Sequence, residues 1–330
     1  MASYSLMKAL VCHQHGSIDQ LALEEVPSVA PGPGQVRIKV HASGVNFPDL
    51  LIVQGKYQVK PTLPFTPGAE CVGTVIEVGD GVHRTKVGER VIALPAWGAF
   101  AEELTVDAAR VMPVPAAIDD LVAAGLVLTY GTGHHALVQR AALAPGETLL
   151  VLGASGGVGL AAVELGVRLG ARVIAAASTK EKLAVCREHG ASETICYGDT
   201  PLRDAVKELT GGKGADVIYD PVGGDLFDAS LRCIAWKGRL LVVGFASGRI
   251  PQAPANLALI KGCAIVGVHW GVFVEREPEV FAANMRQLYS WVERGELRPY
   301  VSETFPLARG LDALQRVERR EVVGKIVLTM

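Results

Sequence analysis

The sequence predicts an α/β protein in which a β-rich N-terminal domain precedes a doubly wound parallel sheet. Two observations carry this prediction. Residues 148–152 are an apolar run, residues 153–159 are rich in glycine, and an Ala-rich apolar stretch continues to Gly170. That order is typical of a buried parallel strand, a tight turn and a helix. By contrast, residues 1 to about 125 are cut by prolines into short segments, which favours strands and loops.

The N-terminal segment contains three alternating or apolar runs. Residues 35–41 alternate with period two, residues 71–79 form a second strand before the turn signal Asp80-Gly81, and residues 87–93 form a third. Repeated short strands separated by turn residues predict a small barrel or sandwich.

The glycine-rich turn is the main functional signal. Glycines there permit a tight turn, a close backbone approach to a pyrophosphate and tight packing of the helix on the strand. A helix N-terminus then offers free N–H groups and a positive dipole end to phosphate. A purely structural turn is the alternative interpretation. The residues expected to contact the cofactor phosphates are Ser155, Gly156, Gly157 and Val158.

The end of the second strand of this unit selects the cofactor. An acid about twenty residues after the glycines would hold the ribose 2′-hydroxyl of NAD. Residues 177–178 offer none, and Glu181 already lies in the next helix. Ser178, Lys180 and Lys182 supply a hydroxyl and two cations instead, which suits the 2′-phosphate of NADPH. The two lysines are also compatible with a solvated helix face.

The later strands place further cofactor contacts. Residues 215–220 and 238–245 are apolar strands, and ligands bind beyond the carboxyl ends of such strands. The segment expected to border the nicotinamide half comprises Val243, Gly244, Phe245, Ala246 and Ser247.

Composition limits the function classes. The 330 residues, 49% hydrophobic with a net charge of −2, suggest two domains and indicate neither nucleic-acid nor anionic-membrane binding. The first eleven residues lack a signal-peptide core, and no run approaches a membrane span. Six scattered cysteines without a CxxC pair favour reduced core thiols in a cytoplasmic protein.

Four segments together resemble the medium-chain dehydrogenase/reductase superfamily. They are residues 42–49, 55–57, 67–73 and 324–328, joined by the glycine loop. The resemblance implies a GroES-like catalytic domain, a Rossmann domain and a cofactor in the cleft between them. The expected boundaries are 1–125 for the GroES-like domain, 126–270 for the Rossmann NADPH-binding domain, and 271–330 for a C-terminal segment returning to the catalytic domain.

The zinc ligands of this superfamily are missing. Its zinc enzymes have a cysteine where Asn46 stands, a histidine where Ala69 stands and a third ligand near Leu128 or Thr129. The four-cysteine lobe that binds their structural zinc is also absent from this sequence. Zinc needs about four N, S or O ligands, so we expect no metal. The pattern is similar to the zinc-independent branch of NADPH:quinone oxidoreductases, ζ-crystallin-like proteins and enone reductases.

Two residues are candidates for catalysis. In this family context the Asn46 amide is expected to hold the nicotinamide ribose or a substrate oxygen, although an Asn after a strand often only stabilises a turn. Tyr57 ends the same loop and is either a hydrogen-bond donor to a carbonyl or a pocket wall.

The resemblance also implies further cofactor contacts and a dimer. Tyr197 would pack near the adenine or be an ordinary buried tyrosine, and His269 would line the pocket or act as a base. Strand edges favour pairing, and the family pairs its last strand across a dimer axis, so we expect a homodimer. The family-implied contacts are Thr129, Tyr197, Val268, His269, Trp270 and Lys325.

These inferences predict an NADPH-dependent reductase of quinones or activated alkenes, with a small quinone or enone as substrate. Rate acceleration is expected to come mainly from positioning of the substrate and from hydrogen bonds to the oxyanion that develops on it. Two alternatives stay open. One is an enoyl-thioester reductase of the same branch. The other is a crystallin-like or regulatory protein that binds NADPH without turnover.

Overall fold

The structure, a computed structural model, describes residues 5–330. The chain forms two compact units. The first contains residues 5–127 together with Tyr300–Met330, and the second is Leu128–Pro299.

The described residues form fifteen strands and ten α-helices. The strands are β1 (Leu6–Val11), β2 (Ala22–Pro27), β3 (Gln35–Val45), β4 (Cys71–Val78), β5 (Arg90–Ala93), β6 (Glu103–Asp107), β7 (Val111–Pro113), β8 (Thr148–Leu152), β9 (Arg172–Ala177), β10 (Glu193–Cys196), β11 (Ala215–Asp220), β12 (Ile234–Val242), β13 (Ala264–Gly267), β14 (Val301–Pro306) and β15 (Lys325–Thr329). The helices are α1 (Phe47–Val53), α2 (Asp120–His134), α3 (Gly157–Arg168), α4 (Lys180–Glu188), α5 (Leu202–Leu209), α6 (Gly224–Cys233), α7 (Ala255–Lys261), α8 (Trp270–Arg276), α9 (Pro278–Glu293) and α10 (Gly310–Glu318).

The first unit is built on a mainly antiparallel sheet. Its strands run in the order β14-β15-β3-β4-β5-β7, with β6 also paired to β3, and β1 and β2 form a separate pair. Ile326 of the last strand faces Val45 across the β15–β3 ladder. This pairing brings the start of β15 beside the end of β3, although they lie far apart in sequence.

The second unit is a six-stranded parallel sheet in the order β10-β9-β8-β11-β12-β13. The order reverses between β8 and β11, which is where ligands bind in sheets of this kind. All five residues of β8 are buried, because helices cover both faces of a parallel sheet. The predicted Rossmann arrangement is therefore confirmed.

The predicted C-terminal segment is wrong in part. Residues 271–299 belong to the second unit, and the return to the first begins at Tyr300. The reason is apolar packing: α9 buries Phe281, Met285, Leu288 and Trp291, and Phe273 stacks on His135 with ring centroids 3.8 Å apart. The first boundary falls after Val127 rather than residue 125.

The helical run 120–140 is long and apolar enough to span a membrane by length and composition, but 78% of an apolar 18-residue stretch within it is buried inside the protein. All six cysteines are free thiols, and four of them are buried.

Candidate active site

Two polar residues of the first unit, Asn46 and Asp49, lie at the junction of β3 and α1. Asn46 follows β3 directly and stands at the N-cap of α1, with Pro48 in the first turn. The Asp49 carboxylate reaches back, and its Oδ2 accepts a hydrogen bond from the Asn46 backbone N–H at 2.8 Å. A side chain at this helix position commonly satisfies an otherwise unpaired N–H, so local sequence alone fixes how Asp49 lies beside Asn46.

Long-range pairing completes a buried polar cluster of Asn46, Asp49, Glu70 and Lys325. The Lys325 ammonium donates to Asn46 Oδ1 at 2.7 Å, to Glu70 Oε1 at 2.9 Å and to the Val45 carbonyl at 3.0 Å. Asn46 Nδ2 donates to the same Glu70 oxygen at 2.9 Å and to the Gly44 carbonyl at 3.2 Å. The exposed fractions of Glu70, Asn46 and Lys325 are only 1%, 6% and 6%.

This arrangement places two predicted cofactor contacts, Asn46 and Lys325, inside the buried cluster. The family resemblance implies a cofactor contact for Lys325, and in the structure its three ammonium protons are donated to three protein acceptors. The Asn46 amide is predicted to hold a ribose or substrate oxygen, and in the structure both its Nδ2 protons and its Oδ1 have protein partners. Because unmaking a charged buried hydrogen bond is costly, we assign these groups to holding the cluster together.

The same contacts test whether zinc would fit. The position that carries a cysteine in zinc relatives is an asparagine whose Oδ1 faces an ammonium, and Ala69 offers no side-chain donor. The carboxylate of Glu70 is already paired with that ammonium. Within residues 5–330 no group of three or more His, Cys, Asp or Glu side chains has the geometry to hold a metal ion. The donor set here does not suit zinc.

Asp49 differs from the other members of the cluster. Its side chain is fully buried, and its second oxygen, Oδ1, forms no hydrogen bond of ordinary geometry. Burial raises the pKa of this carboxyl to about 7, although the Asn46 N–H and the charge of Lys325 oppose the shift. Asp49 therefore holds or releases a proton near neutral pH.

Tyr57 lies in the loop after α1. It is half-buried and packs against the apolar core of the first unit that includes Leu50 and Val53. Burial is the main cause that raises the pKa of its hydroxyl, and the charge of Asp49 raises it further. Tyr57 thus keeps its proton at neutral pH and is chemically suited to donate a hydrogen bond.

In the second unit, the turn after β8 forms a backbone cradle. Gly153 has φ +56°, and a Cβ at Gly159 would overlap the Gly153 carbonyl oxygen and lie 2.9 Å from Ala154 Cα. Gly156 is the N-cap of α3, so Gly157 and Val158 contribute N–H groups of the first helical turn. Ser155 is buried beside them. A pyrophosphate fits this site, since it needs close backbone approach and free N–H groups.

The ends of β9 and β10 meet at the predicted 2′-phosphate position. The Tyr197 N–H donates to the Ala177 carbonyl at 3.2 Å, and Cys196 Sγ lies 3.5 Å from the Ser178 carbonyl oxygen. Ser178 is exposed, whereas Lys182 and Tyr197 are half-buried. The structure therefore brings Ser178 and Tyr197 together at one edge of the sheet, with Lys182 in the first turn of α4.

Lys180 has a different surrounding. Its ammonium lies 3.4 Å from Asp199, and both side chains are largely exposed. The solvated-face interpretation therefore fits Lys180 better than Lys182.

Asp220 organises the loops at the other half of the sheet. Its buried Oδ1 accepts from the Val222 and Gly223 N–H groups, both at 2.8 Å. Its carbonyl accepts from the N–H groups of Val243 and Gly244 at 2.9 and 3.3 Å. The predicted strand 238–245 therefore ends at Val242, and residues 243–247 form a loop held on β11. Local sequence reasoning missed Asp220, whose position at the carboxyl end of a strand was the available signal.

The last predicted contacts adjoin α2. A Cβ at Gly131 would lie 2.9 Å from Trp270 Nε1, so α2, which carries the buried Thr129, packs against the segment after β13. Val268 N–H donates to the Val242 carbonyl at 2.9 Å. His269 Nδ1 accepts from the Val272 N–H at 3.3 Å and caps α8, a role that the sequence did not indicate.

Comparisons with known proteins agree with both units. Residues 32–116 match the alcohol dehydrogenase GroES-like domain, and residues 157–288 match the zinc-binding dehydrogenase family model. A quinone oxidoreductase-like protein 2 homolog from Nematostella vectensis is 42% identical over 97% of this chain and 88% of its own length. A 2-haloacrylate reductase from a Burkholderia species is 35% identical over 98% and 99%.

A solved structure gives the same result. The Escherichia coli quinone oxidoreductase complexed with NADPH superposes with a TM-score of 0.92 at 29% identity, over 98% of this chain and 99% of that one. The chain therefore belongs to the medium-chain dehydrogenase/reductase family, with a GroES-like domain and a Rossmann domain, among the quinone oxidoreductase-like proteins.

Proposed function

We propose that this protein is an NADPH-dependent reductase of quinones or conjugated alkenes. The observation that carries the proposal lies at the edge of the parallel sheet. A glycine cradle follows β8, Ser178 directly follows β9, and Lys182 lies in the first turn of α4. The first carboxylate after β9 is that of Glu181, which already belongs to this helix. Hydroxyl and ammonium groups favour a 2′-phosphate, and an acid would favour a free 2′-hydroxyl. The NADPH complex of the Escherichia coli relative supports this assignment.

When bound, NADPH supplies a hydride. The protein's own contribution is to orient substrate and cofactor and to stabilise the negative charge that develops on the substrate oxygen. Tyr57 is the proposed donor to that oxygen, since its hydroxyl remains protonated at neutral pH. Asn46 holds the loop that leads to Tyr57 through its bonds to Glu70 and Lys325.

The activated-alkene branch of the proposal has its own support. The Burkholderia relative is a reductase of 2-haloacrylates, which are alkenes activated by a carboxylate and a halogen. The quinone branch is supported by the names of the Nematostella and Escherichia coli relatives. An enoyl thioester is a third activated alkene, and we include it in the test.

We also propose a homodimer formed along β13. This strand lies at one end of the six-stranded sheet, and apolar side chains beside it are exposed: Trp236 by 67%, Leu259 by 80% and Ile260 by 64%. An uncovered strand edge next to such a patch favours association. Sedimentation should give twice the chain mass, and Leu259→Lys should shift it to the monomer.

NADPH oxidation against a substrate panel tests the function. The panel contains ortho- and para-quinones, small enones, 2-haloacrylates and enoyl thioesters. Turnover with at least one quinone or conjugated alkene is expected, with NADPH preferred over NADH. Equal rates with NADH would refute the cofactor assignment, and NADPH binding without turnover of any compound would favour the non-catalytic alternative. Stoichiometric zinc after purification without added metal would contradict the metal assignment.

A further inference from the structure

The buried polar cluster of the first unit contains two acids and one cation. Glu70 and Lys325 form an ion pair at 2.9 Å that is neutral as a whole. Asp49 is the additional acid, and it is fully buried. If Asp49 ionises, the cluster carries an uncompensated negative charge away from water, a state that proteins avoid.

Several groups face the Asp49 carboxyl. The Asn46 N–H, at the start of its own helix, donates to Oδ2. Lys325 from β15 and Glu70, just before β4, act on it by charge with opposite signs, and the Ala69 backbone N–H also faces it. Tyr57, from the loop after α1, feels the charge of Asp49 in turn. Asp49 thus connects the charge state of the cluster to the one hydroxyl proposed to contact substrate.

We propose that Asp49 is a positioning residue for reduction: its proton keeps the cluster neutral, and losing that proton places a negative charge that weakens the Tyr57 hydroxyl as a donor to the substrate oxyanion. This inference rests on the proposed function, because it assigns Tyr57 the contact with substrate. Asp49 acts through Tyr57 and does not itself touch the reacting atoms.

The direction of the effect follows from electrostatics. A negative charge near a phenol disfavours the phenolate and equally disfavours an oxyanion bound to that phenol. With Asp49 neutral, at the acid end of the range, the oxyanion is best stabilised. Turnover should therefore fall as pH rises through about 7, the pKa to which burial raises this carboxyl.

The matched variant is Asp49→Asn, which keeps the shape of the side chain but never ionises. We expect kcat/KM of the wild type to fall about three- to tenfold between pH 6 and 8.5, the effect of one charge at an intermediate effective dielectric, and that of Asp49→Asn to stay flat. Asp80→Asn removes a carboxylate from an exposed turn and should retain the wild-type fall. Identical profiles for the wild type and Asp49→Asn would overturn the proposal.

A second variant tests the charge count independently. Glu70→Gln leaves Asp49 as the single acid beside Lys325, so ionised Asp49 becomes compensated. The fall in rate should then move to lower pH by at least about one unit. A fall at the wild-type pH, or at a higher one, would contradict the role of the two-acid cluster.

Spectrophotometric titration of tyrosine separates this inference from the proposed function. The ionisation of Tyr57 is isolated by subtracting the titration of Tyr57→Phe, with no substrate or cofactor present. Asp49→Asn should increase the ionisation constant of Tyr57 by about threefold or more. An unchanged constant would overturn the Asp49–Tyr57 coupling. A changed constant in a protein that reduces no quinone or alkene would support the coupling and refute the proposed function instead.

Discussion

The two units place polar groups in opposite ways. In the first unit, charged side chains from distant parts of the chain are buried and satisfy one another, as Lys325 does with Glu70 and Asn46. In the second, backbone N–H groups and exposed or half-buried side chains are left at the edge of a sheet, as at Gly157 and Ser178. In the first unit, removing a charged side chain should therefore lower the free energy of unfolding. In the second, adding a side chain at the cradle should lower the affinity for NADPH.

Removing the cation of the buried cluster should have the largest effect. Lys325→Met leaves Glu70 buried without its ion-pair partner, and breaking such a pair costs about 3–5 kcal/mol. Urea unfolding should show that loss in the free energy of unfolding. Lys39→Met, at an exposed position of β3, is the control and should cost less than about 1 kcal/mol. Equal losses of unfolding free energy in the two variants would mean that the Glu70–Lys325 pair stabilises the protein no more than an exposed lysine does.

The free energy of unfolding should also depend on pH, because the same cluster contains the buried Asp49 carboxyl. The raised pKa of Asp49, about 7 against an ordinary 3.8, means that the folded state binds this proton more tightly than the unfolded state. Its contribution to stability is therefore full below pH 4 and lost as pH rises to 7, by on the order of 4 kcal/mol. The unfolding free energy of the wild type should therefore fall relative to that of Asp49→Asn by this amount between pH 4 and 7. If the wild type instead gains stability relative to Asp49→Asn as the pH rises, the carboxyl is stabilised as an anion.

Substitutions at two glycines of the cradle should have different effects, because a Cβ at Gly159 would overlap protein atoms and one at Gly156 would not. Gly159→Ala would force a Cβ against Gly153 and Ala154, so about 1–3 kcal/mol of stability should be lost. Gly156 has φ −75° and its Cβ would meet protein no closer than 3.5 Å. Gly156→Ala should therefore unfold nearly as the wild type does, while NADPH binds at least about tenfold more weakly because the methyl group meets the phosphate. Retained NADPH affinity in this variant would argue against a phosphate at the cradle.

The smallest effect is expected at the ribose end. Lys182→Ala removes the ammonium of a half-buried lysine, and a partly exposed charge pair contributes about 1 kcal/mol or less. The KM for NADPH should rise up to about fivefold, and the KM for NADH should not change. Lys213→Ala, an exposed lysine of the same unit, should alter neither value. A parallel rise with both cofactors would indicate general charge rather than recognition of the 2′-phosphate.

Local sequence was a good guide to the second unit and a poor one to the first. The strand, glycine turn and helix around Gly156 are adjacent in the chain, so their pattern predicts their geometry. The partners Asn46 and Lys325 are separated by 279 positions, and only the β15–β3 ladder brings them together. Local sequence therefore does not indicate that Glu70 pairs with Lys325, a residue that the family resemblance assigns to the cofactor.

Other differences have similar causes. The early end of β12 depends on the Asp220 carbonyl, which captures the N–H groups of Val243 and Gly244. The placement of α9 in the second unit depends on aromatic packing such as that of Phe273 on His135. Neither tertiary contact leaves a periodic signal in the sequence.

Calorimetric titration of the protein with NADPH and with NADH tests the central claim most directly, because it measures recognition of the 2′-phosphate without any assumption about substrate. We expect NADPH to bind at least about tenfold more tightly, equivalent to about 1.4 kcal/mol. Equal affinities, or tighter binding of NADH, would contradict the account.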